Sequence, residues 1–98
     1  MRLRTFAHAG LRRFYLKGQS QGVPPDSVDK LRRMLTVLQR MATPDELRTL
    51  PVWKAHRLTG DRAGTWSLHV TRNWRLTFRI DDTDNDYDLI EVNLENYH

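Results

Sequence analysis

Residues 65–80 constrain the fold of this chain more than any other stretch. Trp66, Leu68 and Val70 fall on one face of an extended run, with Thr65, Ser67 and His69 on the other. The alternation then resumes: Trp74, Leu76, Phe78 and Ile80 share a face, opposite Arg75, Thr77 and Arg79. Two period-two runs joined by Thr71-Arg72-Asn73 predict an antiparallel hairpin with one buried face. Asn73 is expected to supply a positive φ in the loop. Burying seven large apolar side chains contributes on the order of 10–20 kcal/mol before conformational entropy is subtracted. Such a face requires a cover. The opposite face is left cationic and open, and is where function is expected.

The chain has 98 residues, which predicts one domain spanning 1–98. With no cysteine, disulfides and thiolate metal sites are excluded. No apolar run reaches the roughly 18 residues of a membrane-spanning helix, and the first residues lack the apolar core of a secretory signal. A cytoplasmic protein is expected. The formal charge of +4 hides an asymmetry. All 16 Lys and Arg lie within residues 1–80, opposed there only by Asp26, Asp29, Asp45, Glu46 and Asp61, so that stretch carries +11. The other seven acids lie between Asp81 and Glu95. A basic body of this kind attracts phosphate backbones through counterion release.

The preceding chain supplies the cover. Residues 2–6 read as a short strand. Leu11, Phe14 and Tyr15 sit at helical spacing, with Gly18 placed to end the helix. Pro24-Pro25, followed by Asp26 and Asp29, opens a second helix. Its stripe is Val28, Leu31, Leu35 and Leu38, widened by Met34 and Met41. Thr43-Pro44-Asp45-Glu46 begins a further helical turn that Pro51 closes. Val52–Leu58 is expected to be a strand, Thr59–Gly64 a tight turn, and Tyr87–Val92 the last strand. The aspartates from Asp81 to Asp88 lack the glycine and glutamate spacing of a calcium loop and read as a solvated turn. The result is an α+β fold: two N-terminal helices packed on one face of a small antiparallel sheet, with an open basic face opposite.

Four histidines are available for chemistry. His8 and His69 read as surface or structural residues. His56 lies on a strand's polar side, and His98 follows the last strand. If the last strand joins the hairpin, both imidazoles reach the open face near Arg75. Imidazoles exchange protons near neutrality, and two of them beside a guanidinium suit RNA cleavage. One would deprotonate the 2′-hydroxyl and the other protonate the leaving 5′-oxygen, in an order the sequence leaves open. No third ligand accompanies His56 and His98, so neither a metal nor another cofactor is expected.

Several pieces of the chain, taken in order, resemble one family. They are Phe6 with Gly10-Leu11, Gly22-Val23-Pro24, Val28-Asp29, His56, and Leu58-Thr59-Gly60-Asp61-Arg62-Ala63-Gly64. Trp66-Ser67, Asn73-Trp74-Arg75-Leu76-Thr77-Phe78 and Tyr97-His98 follow. The sequence is similar to the HigB-type toxins of the RelE superfamily, ribosome-dependent mRNA endonucleases of bacterial toxin–antitoxin pairs. The resemblance implies a RelE-like fold and a catalytic set of His56, Arg75, Asn96, Tyr97 and His98. Asn96 stands where the family usually has aspartate, and it carries no charge to hold an imidazolium. Lys54, Arg57, Arg62 and Arg72 are expected to grip RNA phosphates. Arg62 has the alternative role of tying down its own turn, and Tyr97 that of a packing residue. The implied partners are mRNA in the ribosomal A site and a HigA-like helix-turn-helix antitoxin, through which alone operator DNA is contacted. The second reading is a non-catalytic RNA-binding or co-repressor module whose chemistry is weakened at Asn96.

Overall fold

A computed structural model describes residues 1–83 and 86–97. The two alternating runs form β3 (Thr65–Thr71) and β4 (Trp74–Asp81), paired antiparallel with Trp66 opposite Phe78 and Leu68 opposite Leu76. They are joined by β1 (Arg2–Leu3), β2 (His56–Arg57) and β5 (Asp88–Asn96) in a sheet of order β1-β5-β4-β3-β2. Helices α1 (Ala9–Lys17) and α2 (Val28–Arg40) cover one face. Leu11, Phe14, Leu31, Met34, Leu35 and Leu38 share one core with Trp66, Leu68, Val70, Leu76, Phe78, Val92 and Leu94.

The local signals act as chemistry predicts. The His8 imidazole caps α1, its Nδ1 accepting from the Leu11 N–H at 2.9 Å. Gly18 ends the helix in the left-handed region at φ 71°. Gly10 and Gly22 bring α1 against the following loop; a Cβ on Gly10 would stand 2.7 Å from the Gly22 carbonyl oxygen. Thr43 and Glu46 make a reciprocal capping box over the turn at Pro44–Thr49.

Five expectations are corrected. The sheet is mixed, because β1 runs parallel to β5. β5 turns back from β4 into the space beside β1, so the two neighbours point the same way. Arg2 and Arg4 fix that edge through Asp88, with Arg4 also holding Asp81. Residues 52–58 are not a continuous strand. Pro51–Trp53 is a 3₁₀ turn that tucks Trp53 into the core, Lys54 is left-handed at φ 49°, and only His56–Arg57 pairs with β3. The hairpin loop is shorter than expected, since Thr71 pairs with Trp74 and the extra residue becomes a bulge between His69 and Thr71. Among the described residues, the positive φ values outside glycine belong to Lys54 and Glu91, not Asn73. The last strand reaches Asn96, well past Val92, with a second bulge where Glu91 takes φ 52°.

The face away from the helices is also less bare than expected. Thr65, Ser67 and Thr77 on it are buried, shaded by longer neighbours on the strands around them.

Candidate active site on the helix-free face

Short side chains along the middle of the helix-free face make a trough, and longer polar ones stand over it. Register sets His56 beside Ser67, Ser67 beside Thr77, and Thr77 beside Asn93. One row nearer the hairpin tip, His69 lies beside Arg75, and Arg75 beside Glu95. Partners in an antiparallel ladder project to the same side. His56, His69, Arg75 and Glu95 therefore rise from four adjacent strands onto one surface.

His56 is exposed, and its Nδ1 lies 2.9 Å from the Lys54 carbonyl oxygen. A carbonyl can only accept, so Nδ1 carries a hydrogen and Nε2 is the nitrogen left to exchange a proton with a ligand. The left-handed Lys54 makes this bond possible by turning the chain immediately before β2. Arg75 is held from behind. Its Nη1 donates to the carbonyls of Thr71 at 2.7 Å and Trp74 at 3.0 Å, while its guanidinium lies 4.2 Å from the centroid of the Tyr97 ring. The Tyr97 N–H donates to the Asn73 carbonyl at 2.7 Å. Tyr97 is nevertheless 60% exposed, so its ring supports Arg75 and keeps a face open.

Arg62 reaches from the Gly60–Arg62 turn to Glu95 in a two-pronged ion pair. The Thr77 hydroxyl donates to the same carboxylate. Arg62 holds the Glu95 carboxyl below its ordinary range, burial opposes that shift, and Thr77 assists it. Arg62 thus ties its turn to β5.

The remaining expected residues divide. Arg72 is exposed at the hairpin tip, and Lys54 is exposed before β2. Arg57 does not join them. It pairs with Trp66 on the helix-bearing side, 5.2 Å from that ring's centroid, beside a cleft of about 480 Å³ shared with Asp45, Arg79 and Tyr87. Asn96 opposes Trp74 and so lies on the other side of β5 from Glu95 and Arg75. His98 lies outside the described residues.

Sequence reasoning gave His69 and Thr77 no part in the site, and it missed Glu95 as a member of this surface. Alternation already set His69, Arg75 and Thr77 on the polar side. The missing information was the β4–β5 register, which a bulge shifts by one residue. Burial, together with the charges of Arg75, Lys30 and Lys54, lowers the pKa of His69 below 6.5.

A small basic α+β fold with an imidazole–guanidinium face is the class these features define, and the comparisons give its family. Residues 4–95 match the family model described as the RelE-like toxin of type II toxin–antitoxin system HigB. The chain is 35% identical over 96 residues to Endoribonuclease HigB of Proteus vulgaris, covering 98% of this chain and 99% of that one. The chain belongs to the HigB-like toxin family. Solved structures share the fold. The YoeB/ParE toxin from Agrobacterium tumefaciens is 19% identical with a TM-score of 0.60, covering both chains fully. YafQ from E. coli strain BL21(DE3) is 18% identical with a TM-score of 0.56, covering 94% of this chain and 91% of that one. A third, at 21% identity and a TM-score of 0.55, is the YoeB–YefM complex from Staphylococcus aureus, covering 100% of this chain and 99% of that one. As a toxin of a type II pair, the chain has an antitoxin as partner.

Proposed function

We propose that this toxin is an endoribonuclease that cuts mRNA in the ribosomal A site, by attack of a ribose 2′-hydroxyl on the adjacent phosphate. The observation that carries this reading is the joint presentation of His56 and Arg75 on one cationic face. His56 offers Nε2 to the reacting group, and His98 is proposed as a second imidazole. Arg75, with Nη1 already held by backbone carbonyls, directs its remaining donors at the phosphate oxygens and stabilises charge there. Tyr97 keeps that guanidinium in place and offers its open face to a base. Lys54 and Arg72 bind neighbouring phosphates. Proton transfer between imidazoles and ribose needs no metal-bound water.

The relative from Proteus vulgaris, named an endoribonuclease, supports the reaction class. The family supports neutralisation by an antitoxin, for which we propose a HigA-like helix-turn-helix protein acting in the cytoplasm. No helix among the described residues is long and apolar enough to cross a membrane. Asn96 favours the alternative, a binding module without cleavage. Against it, the carboxylate sharing Arg75's face belongs to Glu95. The test is expression without antitoxin. We expect growth arrest with cleaved mRNA, and loss of both in His56→Ala and His98→Ala proteins that retain the wild-type melting temperature. Arrest that survives in the double variant would replace the nuclease with the binding module.

A further inference from the structure

The helix-free face holds a third imidazole, on the strand between those of the two groups assigned to the phosphate. His56 stands on β2 and Arg75 on β4; β3 runs between them and carries His69. His69 is the register partner of Arg75. It lies two residues beyond Ser67, the partner of His56, and so on the same side of the sheet. Adjacent strands are about 4.8 Å apart, and diagonal neighbours have Cβ atoms roughly 7–8 Å apart. A phosphate that bridges His56 and Arg75 therefore passes close to His69.

We propose that His69 is a catalytic residue of this site, accepting the proton of the attacking 2′-hydroxyl. The proposal rests on the endoribonuclease reading. The O2′–P bond forms as the proton passes to His69, and the P–O5′ bond breaks as the 5′-oxygen takes a proton from an imidazolium of the His56–His98 pair. The products are a 2′,3′-cyclic phosphate and a 5′-hydroxyl.

Its surroundings suit an acceptor. A base must be neutral before attack, and His69 is half-buried among cations. The charges that lower its pKa are those of Arg75 on β4, Lys30 on α2 and Lys54 ahead of β2, while His56 of β2 and Glu95 of β5 share its side of the sheet. Burial and these charges hold the imidazole neutral below its ordinary titration range. As attack proceeds, charge accumulates on the phosphate oxygens above it, so the new imidazolium gains a counter-charge at the moment it forms.

The experiment is single-turnover cleavage of a short mRNA bound on ribosomes, from about pH 5 to pH 8, by wild type, His69→Gln and His69→Ala. In wild type, the acid limb of the rate profile should have its midpoint below 6.5. His69→Gln should lower the rate by about 10²-fold or more, leave half-saturation unchanged, and abolish that limb. Lys54→Gln should move the limb upward. Added imidazole should partly restore His69→Ala, which a purely structural role would not permit. A His69→Gln protein that cleaves within about threefold of wild type with its acid limb intact would overturn the assignment. Wild type that leaves the mRNA whole would instead refute the endoribonuclease reading, and this proposal with it.

Discussion

Glu95 shows how one side chain can serve both the fold and the site. Its carboxylate accepts from Arg62 and from Thr77, joining the Gly60–Arg62 turn, β4 and β5 on the face that carries Arg75. Because its folded pKa lies below its ordinary 4.5, its contribution to stability is complete above that value. The contribution fades as pH falls from 4.5 through the lower folded value. Glu46, held by the Thr43 and Ala42 N–H groups, and Asp81, held by Arg4, fade in the same direction. Glu95→Gln should therefore narrow, without abolishing, the difference in urea midpoint between pH 7 and about pH 3. Arg62 is about half exposed, so this share is modest. A variant whose acid sensitivity equals that of wild type would show that the pair contributes nothing.

At the scale of elements, α1 is set by a contact between two backbones. Alanine normally stabilises a helix position by about 1 kcal/mol relative to glycine. At Gly10 the added methyl meets backbone atoms of Gly22, none of which can rotate away. Gly10→Ala should therefore destabilise the protein by about 1–3 kcal/mol, the overpacking cost exceeding the propensity gain. Urea denaturation checks the sign, and a stabilised variant would mean that the loop gives way freely. The Gly10-Leu11 and Gly22-Val23-Pro24 pieces were visible in the sequence, but their contact was not. The same limit applies elsewhere. Periodicity located α2 and the β3–β4 hairpin because many side chains share one face. It could not locate the 3₁₀ turn at Pro51–Trp53, where a single tryptophan turns inward, or the bulges that absorb one residue each. The bulge in β5 decides which of Glu95 and Asn96 shares the face of Arg75. The sequence could therefore name the ingredients of the site but not the composition of each row.

Across the whole molecule, the cations fall into two groups. Arg2, Arg4 and Arg62 are engaged by Asp88, Asp81 and Glu95, whereas Lys54 and Arg72 stand exposed around His56 and Arg75. The +11 of residues 1–80 thus overstates the charge available to a ligand. Affinity for a single-stranded RNA should weaken with salt, and Arg72→Gln should reduce the slope of log affinity against log salt by about 0.7. Arg62→Gln should leave that slope close to wild type, because its guanidinium is already neutralised by Glu95. Fluorescence anisotropy over a salt series distinguishes the two. Equal effects would mean that Arg62 leaves Glu95 to meet RNA.

The strand order carries a consequence for how such a molecule is made. β5 is translated after the other four strands, yet it occupies the gap between β1 and β4. Until residues 88–96 have been made, β1 has no strand to lie against, and until Tyr97 follows, the Arg75 guanidinium has no ring beneath it. The sheet therefore cannot be completed, nor the Arg75 guanidinium backed by its ring, until these residues have been made.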